Sequence, residues 1–341
     1  MEKLAGFRLA RHCQTPFACD REMISSNHLV EMIDSAQGYD VIGDIHGHAD
    51  ALRRLLAKMG YAELDGAFRH ETRRVIFVGD FIDRGPAQRD VLQITRAMCE
   101  ADTAFAVLGN HEFNAIGWVT PDGRGGFLRA HTEANLGQHR KFLQQFGEGS
   151  PDHHDAISWF RGLPVWLDLP GLRVVHACWY EPSQLALRPC LDGRDCFTEA
   201  GLRQALQRDT PAYQAAEILM KGPEQRLPSD MTFMDKDGRE RHEVRIKWWD
   251  LDATTFRKAA IGVDGRLGEL PDSALPVDFI YRENTPVLFG HYWMNGEPRL
   301  TSSSAACLDF SVAEKGYLTA YQWRGESLLL PDHLVHVPAA L

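Results

Sequence analysis

The chain contains no Cys-x-x-Cys pair, although seven cysteines are scattered along it: Cys13, Cys19, Cys99, Cys178, Cys190, Cys196 and Cys307. An odd set without metal-ligand spacing supports neither a disulfide framework nor a thiolate zinc site, and it reads as mostly buried free thiols. No stretch approaches the ~20 consecutive apolar residues needed to cross a bilayer. Nor does an apolar segment ending in a small-residue cleavage site open the chain, so a cytoplasmic setting without membrane attachment is expected. Positive charge is in deficit, with 37 Lys and Arg against 47 Asp and Glu for a formal net charge of -10. That balance argues against an extended nucleic-acid surface while leaving room for a local basic pocket.

With 341 residues, 44% of them hydrophobic, the chain can form one large or two ordinary domains. The run Val75-Ile76-Phe77-Val78 reads as a strand buried on both faces, and it stops at Gly79-Asp80-Phe81-Ile82-Asp83-Arg84-Gly85. Helical periodicity follows over residues 87–99. The same plan precedes and follows it: Tyr39 to Ile42 ends in Gly43-Asp44-Ile45-His46-Gly47 before a helix at 49–59, and Phe105 to Leu108 ends in Gly109-Asn110-His111-Glu112. Right-handed crossovers put parallel strand ends on one sheet edge, so the three corners should converge where ligands bind in open α/β sheets.

Further along, helices are expected at 138–146, 155–162, 197–207 and 212–220. Residues 164–169 and 172–178 read as a hairpin around Pro170-Gly171, its second strand ending near His176. Residues 231–234 and 243–248 flank a turn signal at Asp237-Gly238. Residues 286–289 form a buried strand ending in Gly290-His291, and strands at 305–310, 318–323 and 327–330 close the chain.

Asp44, His46, Asp80, Asp83, Arg84, Asn110, His111, His176 and His291 are thus the polar residues of the strand ends. Carboxylate, imidazole and amide oxygen without thiolate suit Mn²⁺, Fe or Zn²⁺ better than an all-oxygen Mg²⁺ or Ca²⁺ cage. They are too many for one ion. Two metals roughly 3.5 to 4 Å apart, sharing a carboxylate, would use them.

Read in order, GDxHG, GDxxDRG, GNHE, the later His176 and Gly290-His291 resemble the motifs of the calcineurin-like metallophosphoesterases, most closely the phosphoprotein phosphatase branch. That branch includes bacterial serine/threonine phosphatases and symmetrical diadenosine tetraphosphatases. The resemblance implies an α/β sandwich of two mixed β-sheets flanked by helices. It also implies two divalent ions, with Mn²⁺ first and Fe or Zn²⁺ as alternatives. Asp44 and His46 match ligands of the first metal, Asp80 the bridging carboxylate, and Asn110, His176 and His291 ligands of the second. His111 matches the general acid for the leaving oxygen, Asp83 its partner, and Arg84 a bidentate phosphate donor, with Asn110 also facing substrate. The nucleophile implied is a metal-bridging hydroxide.

The expected domain is 39–341, with residues 1–38 an N-terminal extension and a cap-like insertion at about 180–285. Lys221 is a candidate second phosphate cation, with Arg245 and Lys247 as rivals. Arg124 and Arg129 either contact anionic substrate or are solvated loop cations. His176-Ala177-Cys178-Trp179 departs from the usual His-Gly-Gly. Trp179, Tyr292 and Trp293 offer aromatic surfaces beside the cleft, whereas Trp248 and Trp249 read as core or as a stacking pair. His48, His131, His139, His153 and His154 read as surface or supporting residues. The favoured activity is hydrolysis of a phosphomonoester, in a phosphoprotein or a small molecule. A dinucleoside polyphosphate is the alternative substrate, and a metal-bound scaffold without catalysis the alternative class.

Overall fold

The first parallel unit is built on β1 (Gly38–Ile42), all five of whose residues are buried, as a strand covered on both faces must be. The structure, a computed structural model, describes residues 37–228, 231–234, 240–263 and 265–340. The expected N-terminal extension up to residue 36 and the Asp237-Gly238 turn lie outside them. After β1 comes α1 (Ala49–Lys58), an amphipathic helix that buries Leu52, Leu55 and Leu56 and carries Asp50 in its first turn and Lys58 in its last, the favourable placement for the helix dipole. It leads to β2 (Arg73–Phe77), then α2 (Gln88–Glu100) and β3 (Ala104–Ala106). β1, β2 and β3 pair in parallel, with Ile42 beside Phe77 and Phe77 beside Ala106. All three strands therefore end on one edge.

Next come α3 (Asn110–Val119), α4 (Glu133–Phe146) and α5 (Pro151–Phe160). α5 starts four residues before the expected helix because Ser150 caps it, accepting from the His153 N–H, and Pro151 stands in the first turn, where a missing N–H costs nothing. The hairpin of β4 (Trp166–Leu169) and β5 (Leu172–Val175) turns at Gly171, whose φ of +81° suits glycine.

Helices α6 (Glu181–Leu187), α7 (Glu199–Leu206) and α8 (Pro211–Lys221) follow, contributing Leu187, Leu202 and Leu219 to the main hydrophobic cluster. Next, β6 (Glu224–Arg226), β7 (Glu243–Ile246) and β8 (Ala260–Ile261) form an antiparallel three-stranded sheet. This sheet has its own small core of Val244, Ile246, Phe256 and Leu270. The expected partner of residues 243–248 was 231–234, but Phe233–Met234 pairs instead with Glu240–Arg241. The chain leaves β7 at Ile246, and Trp248 turns into the main core, its indole N–H bonded to the Ala177 carbonyl at 3.0 Å.

The last strands are β9 (Val287–Phe289), β10 (Ala305–Cys307), β11 (Asp309–Phe310), β12 (Tyr317–Trp323) and β13 (Leu334–Pro338). One sheet runs β11-β12-β1-β2-β3 with β13 on β12, and the other runs β10-β9-β5-β4. Both are mixed, and one cluster takes Ile42, Val75 and Phe77 from the first and Trp166, Val175 and Phe289 from the second. The expected single strand at 305–310 is two strands in different sheets, because the chain crosses between them at Leu308. The expected strand at 327–330 is not formed. Leu330 gives its N–H to the Tyr321 hydroxyl, and Pro331 opens a 3-10 turn before β13.

Candidate metal centre and acid–base pair

The corner after β2 is held from beneath by a buried carboxylate. Glu112, in the first turn of α3, accepts the backbone N–H groups of Asp80 at 2.8 Å and Phe81 at 2.9 Å. The Asp80 carboxylate in turn accepts the His111 N–H at 3.0 Å, so it satisfies one of the free donors at the start of α3. His46, Asp80, Asp83, Arg84, His291 and Trp293 all hold positive φ, between +46° and +77°. Such conformations cost of order 1–3 kcal/mol each and persist where the surroundings enforce them.

Around Asp80 the expected residues converge. His46 Nε2 lies 3.6 Å from one carboxylate oxygen, with His111 Nε2 at 3.9 Å, and His176 Nε2 lies 3.5 Å from the other. His176 Nε2 is also 2.9 Å, and His291 Nδ1 2.8 Å, from the side-chain oxygen of Asn110. Two groups with metal-ligand spacing result, His46-Asp80-His111 and Asp80-His176-His291, and Asp80 belongs to both. Asp44 stands alongside, accepting the His291 N–H at 3.1 Å.

Backbone carbonyls decide which imidazole nitrogens face this space. His46 Nδ1 sits 2.9 Å from the Ile82 carbonyl and His176 Nδ1 2.7 Å from the Val78 carbonyl, so each Nδ1 is the donor. With Nδ1 as the donor, Nε2 of each ring faces the site, that of His46 toward Asp80 and that of His176 toward Asp80 and Asn110. Burial keeps His46 neutral, its pKa lowered to about 3. Its Nε2 has no hydrogen-bond partner, and neither has His291 Nε2. The unpartnered Nε2 of His46 beside the Asp80 carboxylate suits a cation between them, and the N/O donor set of the two groups fits divalent metals.

Charge points the same way. Burial raises the pKa of Asp44 well above the ordinary carboxylate value, helped by the fields of Asp309 and Asp80. Glu112 is pushed up to about 8 by burial and Asp80. Burial also raises Asp80, but His176, His111 and His46 outweigh it and the net shift is downward.

Beside the ligand cluster stands the candidate acid–base pair. His111 Nδ1 and Asp83 Oδ2 are 2.5 Å apart, and the Asp83 N–H donates to Gln88. Burial opposes the charged form of His111, yet Asp80 and Asp83 win and raise its pKa. Burial likewise opposes the Asp83 anion, but hydrogen bonds from His111 and His139 bring its pKa below the usual carboxylate range. Arg84 reaches out over the Trp293 ring, 3.9 Å from its centroid.

The peripheral candidates are distributed differently. Lys221 is paired with Glu217, one turn back on α8. Arg245 and Lys221 both lower the pKa of His291 after burial has done so, Arg245 more strongly. Lys247 pairs with Asp250. Arg129 is bonded to Asn114 and Gln138, whereas Arg124 is exposed on the loop. Trp179, Tyr292, Trp248 and Trp249 are buried and offer no open stacking face, which leaves Trp293 half-buried beside Arg84. Trp179 and Tyr292 therefore do not give the expected aromatic surfaces beside the cleft: both are buried, Tyr292 against Trp249 and Phe289 and Trp179 under Arg173.

Some residues of the site escaped the sequence reading. Asp309 is buried and accepts the Trp293 N–H at 2.7 Å, and its pKa is raised by burial. Its signal was an acid inside the apolar run 305–310. Glu112 closes the GNHE motif, and its support of the Asp80 corner is visible only in the fold. Of the two readings of His139, surface or supporting, the second holds: it is buried against Asp83, a partner the sequence does not name.

Residues 39–208 match the family model for calcineurin-like phosphoesterase. The asymmetrical bis(5'-nucleosyl)-tetraphosphatase of Oceanobacillus iheyensis is 38% identical over 139 residues, 40% of this chain and 54% of that protein. The symmetrical enzyme of Aromatoleum aromaticum is 33% identical over 136 residues, 40% of this chain and 42% of that protein. The matched stretch therefore spans about half of these relatives. A serine/threonine phosphatase structure from Saccharomyces cerevisiae is 14% identical, with a TM-score of 0.45, over 89% of this chain and 79% of that one.

Proposed function

The chain belongs to the calcineurin-like phosphoesterases, and from that membership we propose that it hydrolyses phosphomonoesters, in a phosphoprotein or a small molecule, at a two-metal centre. Asp44 and His46 would hold one ion, Asn110, His176 and His291 the other, and Asp80 would belong to both. Mn²⁺ is the first choice, with Fe or Zn²⁺ as alternatives. When bound, the two ions would polarise the phosphoryl oxygens and lower the pKa of water enough to supply a nucleophile near neutral pH. The single observation that carries this reading is the convergence of buried His46, His176 and His291 on the oxygens of Asp80 and Asn110, with Asp80 belonging to both ligand groups.

The chain's own residues do the rest. Arg84 grips the phosphoryl oxygens, and its stacking on Trp293 holds the guanidinium in place before substrate arrives. Lys221, paired with Glu217, is the candidate second cation, and Arg245, paired with Glu224 at 3.7 Å and with a field that reaches His291, is its rival. His111 delivers its Nε2 proton to the departing oxygen while Asp83 stabilises its charged form. The insertion at about 180–285 would shape the entrance as a cap, in a cytoplasmic setting.

A second reading is supported by the similarity of about 40% of the chain to dinucleoside tetraphosphatases. Assaying the Mn²⁺-loaded protein with a phosphopeptide, phenyl phosphate and diadenosine tetraphosphate separates the readings. Faster turnover of the phosphomonoesters supports the first, and a clear preference for the tetraphosphate reverses the order. No turnover of any of them leaves a metal-bound scaffold.

A further inference from the structure

The buried imidazole of His139, on α4, is aimed at the carboxylate of the acid–base pair. It is 3% exposed, and its Nδ1 lies 3.1 Å from Asp83 Oδ1, while Asp83 Oδ2 faces His111 Nδ1 at 2.5 Å. One carboxylate thus joins two imidazoles through different oxygens. Phe142, at 5.0 Å between ring centroids, and Trp118, at 5.7 Å, pack against the His139 ring. Its Nε2 has no partner, so the bond to Asp83 is the polar contact that fixes the ring.

The consequence concerns rotation. A carboxylate bonded to His111 alone could turn about its terminal torsion, which is a soft, two-fold barrier. With Oδ1 held by His139 and the Asp83 backbone held by Gln88, any turn that moves Oδ2 away from His111 must also break a buried hydrogen bond. Resting on the proposed phosphoester hydrolysis, we propose that His139 is a positioning residue: it locks Asp83 so that His111 is held where it can protonate the leaving oxygen.

The test compares leaving groups. 4-Nitrophenolate departs without a proton, whereas phenolate and alkoxides need one, so a misplaced acid slows the poorer leaving groups more. In Mn²⁺-loaded His139→Ala, kcat for phenyl phosphate should fall about tenfold more than kcat for 4-nitrophenyl phosphate, with KM for both within about twofold of wild type. His139→Asn, whose amide nitrogen can take the place of Nδ1, should restore much of that ratio. Because the ratio is taken on one sample, the fraction of folded protein cancels. In an Asp83→Asn background, His139→Ala should cost nothing further. Equal losses for the two substrates, or an Ala variant matching wild type, would overturn the role of His139. Absence of turnover in the wild type would instead overturn the hydrolytic function.

Discussion

Gly109 lies against Asp80 with no room for a side chain: a Cβ there would stand 2.3 Å from the Asp80 backbone nitrogen and 2.4 Å from its Oδ1. The turn after β3 and the carboxylate after β2 are therefore packed as one unit, and the glycine is demanded by space, since its φ is an ordinary -86°. Gly109→Ala must push Asp80 away or tear α3 from the corner. Displacements of this order cost about 10²-fold in rate. Turnover of 4-nitrophenyl phosphate should fall by that order and Mn²⁺ affinity should weaken, as measured by titration calorimetry. Unchanged affinity would mean that the corner tolerates more movement than its packing suggests.

The His111–Asp83 pair makes a prediction with a definite sign. Asp80 and Asp83 raise the pKa of His111 against the effect of burial, and the acid must be protonated to act. For a poor leaving group, kcat should fall as pH rises through that raised pKa. Asp83→Asn removes one of the anions that hold the proton, so the alkaline limb should move to lower pH. His111→Asn should abolish the limb and slow turnover while metal is retained. The kcat–pH profiles of the three proteins decide it, and a limb that stays in place in Asp83→Asn contradicts the assignment.

Arg84 and Trp293 can be separated by how far each affects substrate capture. A cation–π contact at a partly exposed site is worth ~0.5–1 kcal/mol, about two- to fivefold in an equilibrium. Trp293→Ala should raise KM by about that much, Trp293→Phe by less, and Arg84→Ala by more than either. Steady-state kinetics at fixed metal concentration measure this order, and an Arg84→Ala variant with unchanged KM removes the proposed phosphate grip.

Stability has its own buried focus, at the start of β1. Asp40 is fully buried and receives the Arg73 guanidinium, Nε at 3.0 Å and Nη2 at 2.8 Å, together with the Tyr61 hydroxyl at 2.8 Å. Removing one partner of a buried pair strands the other, at a typical cost of about 3–5 kcal/mol. Arg73→Ala should lower the unfolding free energy by about that amount in a urea titration. Turnover per folded molecule should persist, because the pair lies at the end of β1 and β2 away from Asp44 and Asp80.

The metal corners were legible in the sequence because each combines two physical signals, a strand too apolar to face water and a glycine-bounded polar turn just beyond it. Parallel pairing then requires Asp44, Asp80 and Asn110 to meet. Asp309 was hidden because residues 305–310 look like one strand, and only the three-dimensional path shows the chain changing sheets at Leu308. His139 was hidden for a different reason. A histidine on a helix carries no mark of what its ring touches, and its bond to Asp83 spans 56 residues. The strand expected at 327–330 failed because Leu328 to Leu330 are apolar without belonging to a ladder, Pro331 ending the run before pairing begins.

The central claim is that Asp80 is shared by two ions. It is tested most directly by elemental analysis of wild-type and Asp80→Asn protein after Mn²⁺ loading and gel filtration, with turnover measured on the same samples. Two ions per wild-type chain, with metal content and activity lost together in Asp80→Asn, is the predicted result. An Asp80→Asn protein that keeps both ions and full activity would contradict it.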